Sequence, residues 1–256
     1  MPRLSDPSLL AGRNPVREAL ESGTYLEKVL LQADLPGRIQ AEYRALAKAA
    51  GVPLQQVPQA RLEHLVPGVN HQGVVALLAP VGYKDFDDMM RDIAPDRDAV
   101  VARQPIVVLL DGIQDPHNLG AILRTAVAAG VAGAVMPERG SAPLNALALK
   151  ASAGLAHRIP VARVVNLRDA IHQLKERGYW VVGADGEGET SCWELDWKRP
   201  LALVIGSEGD GMRPAVAADC DYRVNIPMPG PAESLNASVA AGIVLFAAIH
   251  GRMAAG

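Results

Sequence analysis

The spacing of apolar and polar positions divides the chain into three parts. From residue 104 onward, short unbroken apolar runs alternate with amphipathic stretches of helical spacing. Strands are predicted over 106–110, 133–136, 159–164, 179–184, 201–205 and 222–226. The runs IVVLL and LALVI have the uninterrupted character of strands buried on both faces. Helices are predicted over 118–129, 144–153 and 167–177, the first and third stopped by Gly130 and Gly178. A long Ala-rich helix over 234–252 closes the chain. Strands alternating with helices predict an α/β fold, a parallel sheet with helices on both faces. The first 80 residues alternate in the same way on a smaller scale. A helix is expected over 15–21, with Asn14 as cap and Pro15 in its first turn. A strand follows over 28–32, then a helix over 38–50 stopped by Gly51, then a strand over 73–78. Between the two, 81–103 is acidic and poor in continuous apolar pattern. It reads as a linker with a short helix at 86–93. The expected organisation is a small α/β domain (1–80), a linker (81–103) and a larger α/β domain (104–256), both of ordinary domain size.

Composition narrows the class. With 49% hydrophobic and 21% charged residues, the chain is not of the disordered kind. A net charge of -3 excludes a globally basic nucleic-acid binder but not a local basic face. Residues 1–80 hold eight Lys/Arg against seven Asp/Glu and are the only net-positive part. There Arg3, Arg13, Arg17, Arg38, Arg44, Lys48 and Arg61 could form such a face, ordinary solvated charge being the alternative. Cys192 and Cys220 make no disulfide framework, which suits a cytosolic chain. The longest apolar run, 239–249, is far short of the roughly 20 residues of a membrane span. The opening MPRLSDPSLL lacks a secretory leader's order of basic then apolar segments. A soluble, cytoplasmic protein is expected.

In a parallel sheet, ligands bind beyond the carboxyl ends of the strands. Three loops lie there. The first, LLDGIQDPHNLGAILRTA, holds Asn118 near a helix start and Arg124 six residues on. Asn118 could simply cap the helix, and Arg124, at the edge of the apolar face, could be a flanking arginine with a buried stem. His117, alone, reads as a loop residue. The second, LALVIGSEGDGMRP, spaces Gly206, Gly209 and Gly211 as G-x-x-G-x-G, which is not the dinucleotide order. Such glycines permit a tight turn whose main chain approaches a ligand closely, with Glu208 at its apex. The third, VNIPMPGPAESLNASVAAG, is stiffened by Pro227, Pro229 and Pro231 and opens a helix at Ser234, a natural N-cap. Helix openings also attract anions and carboxylates. No His or Cys stands at metal-ligand spacing, so no metal is expected.

In order, N-L-G-A-I-L-R-T-A, I-G-S-E-G-D-G-M and I-P-M-P-G-P-A-E-S-L-N-A-S-V-A resemble the three motifs of the SpoU (TrmH-type, SPOUT) RNA 2'-O-ribose methyltransferases, over about residues 104–253. GRNPVREAL and NHQGVVALL resemble, less specifically, the small RNA-binding domain of the 23S rRNA guanosine-2'-O-methyltransferases within that family. The resemblance implies a C-terminal trefoil knot in which S-adenosylmethionine lies bent. Gly206, Ile226 and Leu235 would hold this co-substrate largely through backbone groups, bordered by Ile205, Ser207, Gly209, Met228 and Ser234. It implies Arg124 as the base that prepares a ribose 2'-hydroxyl, with Asn118, Glu208 and Asn236 orienting Arg124 and the ribose. An arginine that only positions phosphate or hydroxyl is the competing role, because a guanidinium seldom loses its proton. It further implies a homodimer and, as substrate, a guanosine in the peptidyl-transferase loop of 23S rRNA or a large-subunit assembly intermediate. A tRNA guanosine is the alternative target. An inactive RNA-binding assembly module would lack motif residues; Asn118, Arg124, Glu208 and Asn236 are all present.

Overall fold

A computed structural model describes residues 9–21, 26–78, 82–231 and 234–253, in two units, Met1–Gly82 and Tyr83–Gly256. Arg3, one of the residues of the expected basic face, lies outside the described residues. The first unit runs β1 (Leu9–Ala11), α1 (Arg13–Glu21), β2 (Leu26–Gln32), α2 (Gly37–Ala49), β3 (Leu54–Val57), α3 (Gln59–Leu65) and β4 (Val74–Leu78). Its sheet has the order β1-β4-β2-β3, with β2 and β3 parallel and the other pairs antiparallel. Alternation along β2 sends Val29 and Leu31 into one core with Val16 of α1 and Tyr43 of α2. Leu30 enters a second core with Leu62 of α3. The period of two that places side chains on opposite faces of a strand thus buries β2 on both.

The second unit begins with α4 (Phe86–Ile93) and α5 (Arg97–Arg103), within the stretch expected as a linker. That expectation is corrected. Phe86, Met89, Met90, Ala94 and Val100 belong to the main core of this unit. The acidity that suggested a linker has a local cause. Asp85 accepts a hydrogen bond from Asp88 N (3.0 Å) and Asp96 one from Ala99 N (2.8 Å), so both are N-caps. Asp87, Asp88 and Asp98 lie in first turns, where the helix dipole favours negative charge.

The unit continues with β5 (Ile106–Leu110), α6 (Pro116–Ala128), β6 (Gly133–Pro137), α7 (Ala146–Ala151), β7 (Val161–Val164), α8 (Leu167–Glu176), β8 (Trp180–Ala184), β9 (Thr190–Ser191), β10 (Leu201–Ile205), α9 (Pro214–Ala217), β11 (Tyr222–Asn225) and α10 (Ala237–Met253). All pairs of its seven-stranded sheet are parallel, in the order β7-β6-β5-β10-β8-β11-β9. The two unbroken apolar runs, β5 and β10, are central neighbours and fully buried. The chain winds from β5 outward through β6 and β7, then crosses to β8 on the far side of β10. This reversal lies at the β5–β10 pair, and their carboxyl ends are where a ligand site is favoured. No described helix is long and apolar enough to cross a membrane.

Cys192 and Cys220 are free. Burial pushes the Cys220 thiol up to about 12 and the Tyr179 hydroxyl up to about 12, against ordinary values near 8.5 and 10. Above pH about 9 the unfolded chain therefore releases protons that the folded chain retains, so stability falls as pH rises. The urea midpoint is expected to drop steadily between pH 8.5 and 10.5, and Tyr179→Phe with Cys220→Ala is expected to flatten that drop. A wild-type midpoint constant over this range would contradict the assignment.

Candidate active site

Three loops converge because the strands before them end together. The Asp111 N–H donates to Ile205 O (2.8 Å), tying the end of β5 to the end of β10. The buried Asp111 carboxylate then accepts from Arg213 N (2.8 Å) and Arg213 Nε (2.7 Å). Between these anchors the segment after β10 folds back on itself. Ser207 N donates to Gly211 O (2.9 Å) and Gly211 N to Ser207 O (3.2 Å), which puts Glu208 at the tip. Asp111 had a signal that the sequence reading passed over: an acid directly after five buried apolar residues. Hydrogen bonds to charged groups contribute about 1.5–3 kcal/mol. Asp111→Ala should therefore weaken ligand binding at this loop by about tenfold or more with the circular-dichroism spectrum unchanged. Unchanged calorimetric affinity would show that the clamp is dispensable.

Asn118 was expected near a helix start, possibly as its cap. The cap is Asp115, which accepts from His117 N (3.0 Å), and Pro116 occupies the first turn. Asn118 is thereby released from capping. Its Nδ2 donates to Glu208 Oε2 (3.3 Å), and its Oδ1 accepts from Asn236 Nδ2 (2.9 Å). The expected cap Ser234 is corrected as well. It precedes α10, and Asn236 does the capping: its Oδ1 accepts from Ser238 N (2.9 Å) and from Ser238 Oγ (2.6 Å). The same amide's nitrogen also donates to Glu208 Oε2 (2.9 Å). One end of Asn236 thus fixes a helix while the other fixes the acid. Both amide donors fall on Oε2, and Oε1 of Glu208 has no partner among the described residues.

Arg124 does not join this cluster. It is exposed on α6 with no hydrogen-bond partner among the described residues. Six residues along a helix place it about 9 Å from Asn118 along the axis and about 120° around it. The fold brings together three of the four predicted catalytic residues and leaves the fourth on the surface.

Beside the cluster lies a cavity of about 590 Å³, within the range of small-molecule sites. Ile205, Gly206, Ser207, Gly209, Ile226, Met228, Ser234 and Leu235, all eight residues proposed from the resemblance, line it. So do Asp185, Gly186 and Glu187 from the end of β8, which the carboxyl-end rule would have found had it been applied to that strand. The main chain of Gly206, Ile226 and Met228 has no hydrogen-bond partner among the described residues, and Gly206 is buried. Unpaired main-chain groups beside a cavity suit a ligand that is read through backbone contacts. Among the described residues no three His, Cys, Asp or Glu side chains gather as metal ligands.

Residues 105–246 match the SpoU rRNA Methylase family, and residues 9–84 match the family described as RNA 2'-O ribose methyltransferase substrate binding. A putative TrmH family tRNA/rRNA methyltransferase of Staphylococcus saprophyticus is 43% identical over 244 residues, covering 93% of each chain. The SpoU methyltransferase AviRb of Streptomyces viridochromogenes, solved in complex with the cofactor AdoMet, is 26% identical. It has a TM-score of 0.60 over 96% of this chain and 90% of its own. An AdoMet-bound rRNA methyltransferase of Sinorhizobium meliloti is 29% identical, with a TM-score of 0.59 over 94% and 85%.

Proposed function

The chain belongs to the SpoU rRNA methylase family and is an S-adenosylmethionine-dependent RNA methyltransferase; on that premise we propose that it methylates the ribose 2'-hydroxyl of a guanosine in the peptidyl-transferase loop of 23S rRNA. One observation carries the reading: the ordered Asn118–Glu208–Asn236 cluster sits against the ligand-sized cavity, and the loop between Gly206 and Gly211 belongs to both. The second match, over residues 9–84, favours rRNA over tRNA, because it adds a separate substrate-binding unit to the methylase unit.

Gly206, Ile226 and Leu235 would hold S-adenosylmethionine through the main chain, with Ile205, Ser207, Gly209, Met228 and Ser234 bordering it. The bound co-substrate supplies an electrophilic methyl group on a positively charged sulfur. The remaining work falls to the chain. A ribose hydroxyl is a weak nucleophile until it gives up its proton, and a positioned base typically contributes about 10²–10⁴-fold. Glu208, held by two amides, keeps Oε1 to accept from the ribose, and Asn118 and Asn236 fix its direction.

Arg124 is assigned the proton, or the placing of the hydroxyl and its phosphate. A kcat–pH profile separates these roles, because only a base produces an acid limb that Arg124→Lys shifts. Arg124 reaches the cluster, in this proposal, from a second copy of the chain. Val239, Phe246 and Met253 recur every seven residues on α10 and are exposed by 49%, 49% and 76%. An apolar stripe at that spacing on one helix face is what a homodimer would cover. α10 packs on α6 beside Arg124, with Gly242 against Thr125. The C-terminal knot, a small RNA-binding domain at the N-terminus and a cytoplasmic location complete the proposal.

The test is reaction of the protein with S-adenosylmethionine and unmodified 23S rRNA, followed by mass-spectrometric mapping of ribose methylation. A single methylated guanosine in the peptidyl-transferase loop is expected. Methylation confined to tRNA would select the other target. Co-substrate binding without any 2'-O-methyl product would mark an inactive assembly module.

A further inference from the structure

The first unit has a cavity of its own, of about 500 Å³, lined in part by Arg13 of GRNPVREAL and by the first four residues of NHQGVVALL. Leu35 and Val69 are apolar in its lining, and Arg13, Asn70 and His71 are polar there beside Gln32, Gln59 and Gln72. His71 is nine-tenths buried. Its Nδ1 accepts from Gly73 N (3.0 Å), which leaves the imidazole proton on Nε2. That N–H has no partner among the described residues, and His71 lines the cavity. Arg13 spends Nε on Gln72 O (3.1 Å), and its two terminal nitrogens have no hydrogen-bond partner among the described residues. The Asn70 side-chain amide makes no hydrogen bond among the described residues.

The backbone between these groups is held in a costly form. Gln72 has φ 51°, a left-handed conformation that costs a non-glycine residue about 1–3 kcal/mol and persists only where the surroundings enforce it. Here they do: Arg13 N donates to Gln72 Oε1 (3.3 Å), and Val74 N donates to His71 O (2.9 Å). The result is a fixed corner that keeps the His71 imidazole, the Arg13 guanidinium and the Asn70 amide along one cavity with Leu35 and Val69.

We propose that this cavity takes one unpaired nucleotide of the RNA substrate, a second nucleotide besides the one that is methylated. The class of ligand rests on the RNA-methyltransferase reading above; the site does not. An extruded base has two apolar faces and an edge of acceptors, and its phosphate is anionic. Leu35 and Val69 cover a face, His71 Nε2–H and the Asn70 amide meet the edge, and Arg13 meets the phosphate. A duplex buries its base edges in the stack and cannot enter. The cavity would therefore select a looped or bulged RNA, which a merely basic surface would not do.

The experiment uses the full chain. A 23S rRNA transcript substituted with 4-thiouridine or 6-thioguanosine is irradiated on the protein, and cross-linked peptides are mapped by mass spectrometry. Steady-state methylation is measured in parallel for Asn70→Ala, which removes no internal bond, and for His71→Phe. Cross-links are expected within 69–73. KM for RNA is expected to rise about tenfold in each variant, as for one lost base-edge contact, with kcat and calorimetric S-adenosylmethionine affinity unchanged. Absence of cross-links there, or a KM within twofold of wild type in Asn70→Ala, would overturn the proposal. If the wild-type protein methylates no RNA, the functional reading fails instead, while the cross-linking result still decides whether the cavity holds a nucleotide.

Discussion

Arg124→Ala is expected to lower kcat by about a thousandfold, the usual contribution of a positioned proton acceptor, while S-adenosylmethionine binds with unchanged affinity. The separation follows from the geometry. Arg124 is exposed on α6, whereas every residue proposed to hold the co-substrate lines the cavity formed by the other loops. If the arginine comes from a second copy, the loss can be repaired without restoring either chain. Arg124→Ala supplies an intact Asn118–Glu208–Asn236 cluster; Asn236→Ala supplies an intact arginine. Mixed and allowed to exchange, half the dimers would be hybrids with one complete site of two, so about a quarter of wild-type activity should return. No recovery, with exchange verified by mass spectrometry, would mean that Arg124 acts within its own chain. An equal collapse of co-substrate affinity in Arg124→Ala would mean that it belongs to the cavity.

Sequence spacing and the structure agree most closely where one physical cause dominates. β5 and β10 read as strands buried on both faces, and they are the buried centre of the parallel sheet. Their carboxyl ends locate the ligand loops from sequence alone. Disagreement arose where two causes compete for one residue. The acids of 81–103 suggest a solvated linker by density, yet two of them are helix caps and the apolar residues between them complete a core. Asn118 and Ser234 both suit an N-cap by type, but Asp115 and Asn236 stand one turn or less away and perform it. Propensity alone cannot rank neighbouring cap residues. Asp111 was missed for a related reason. A single acid after a strand is common, and only the fold shows that Arg213, 102 residues later, returns to it. Arg124 illustrates a further limit. Its motif position is legible, but within one chain it is exposed on α6 and meets no partner among the described residues.

Gly206→Ala should abolish measurable S-adenosylmethionine binding, a loss of at least about a hundredfold, and with it methyl transfer. A Cβ on Gly206 would stand 2.3 Å from Gly211 C, 2.4 Å from Met212 N and 2.6 Å from Gly211 O. All three are main-chain atoms, so no side chain can swing aside. The turn must open instead, separating Ser207 from Gly211, lifting Glu208 from its two amides and pulling on the Asp111–Arg213 clamp. Losing several such bonds costs about 2–4 kcal/mol, enough to lower Tm by several degrees in a chain of this size. Gly209→Ala is the control. Gly209 has φ 93° but nothing within 4 Å of its added carbon, so the substitution meets backbone strain of about 1–2 kcal/mol and no collision. It should bind the co-substrate within about tenfold of wild type by that cost. The same methyl group, three residues apart in one loop, is thus expected to separate close packing from conformational freedom. If Gly206→Ala binds as tightly as Gly209→Ala, the turn yields more readily than its bonds imply, and the cavity does not depend on its close packing.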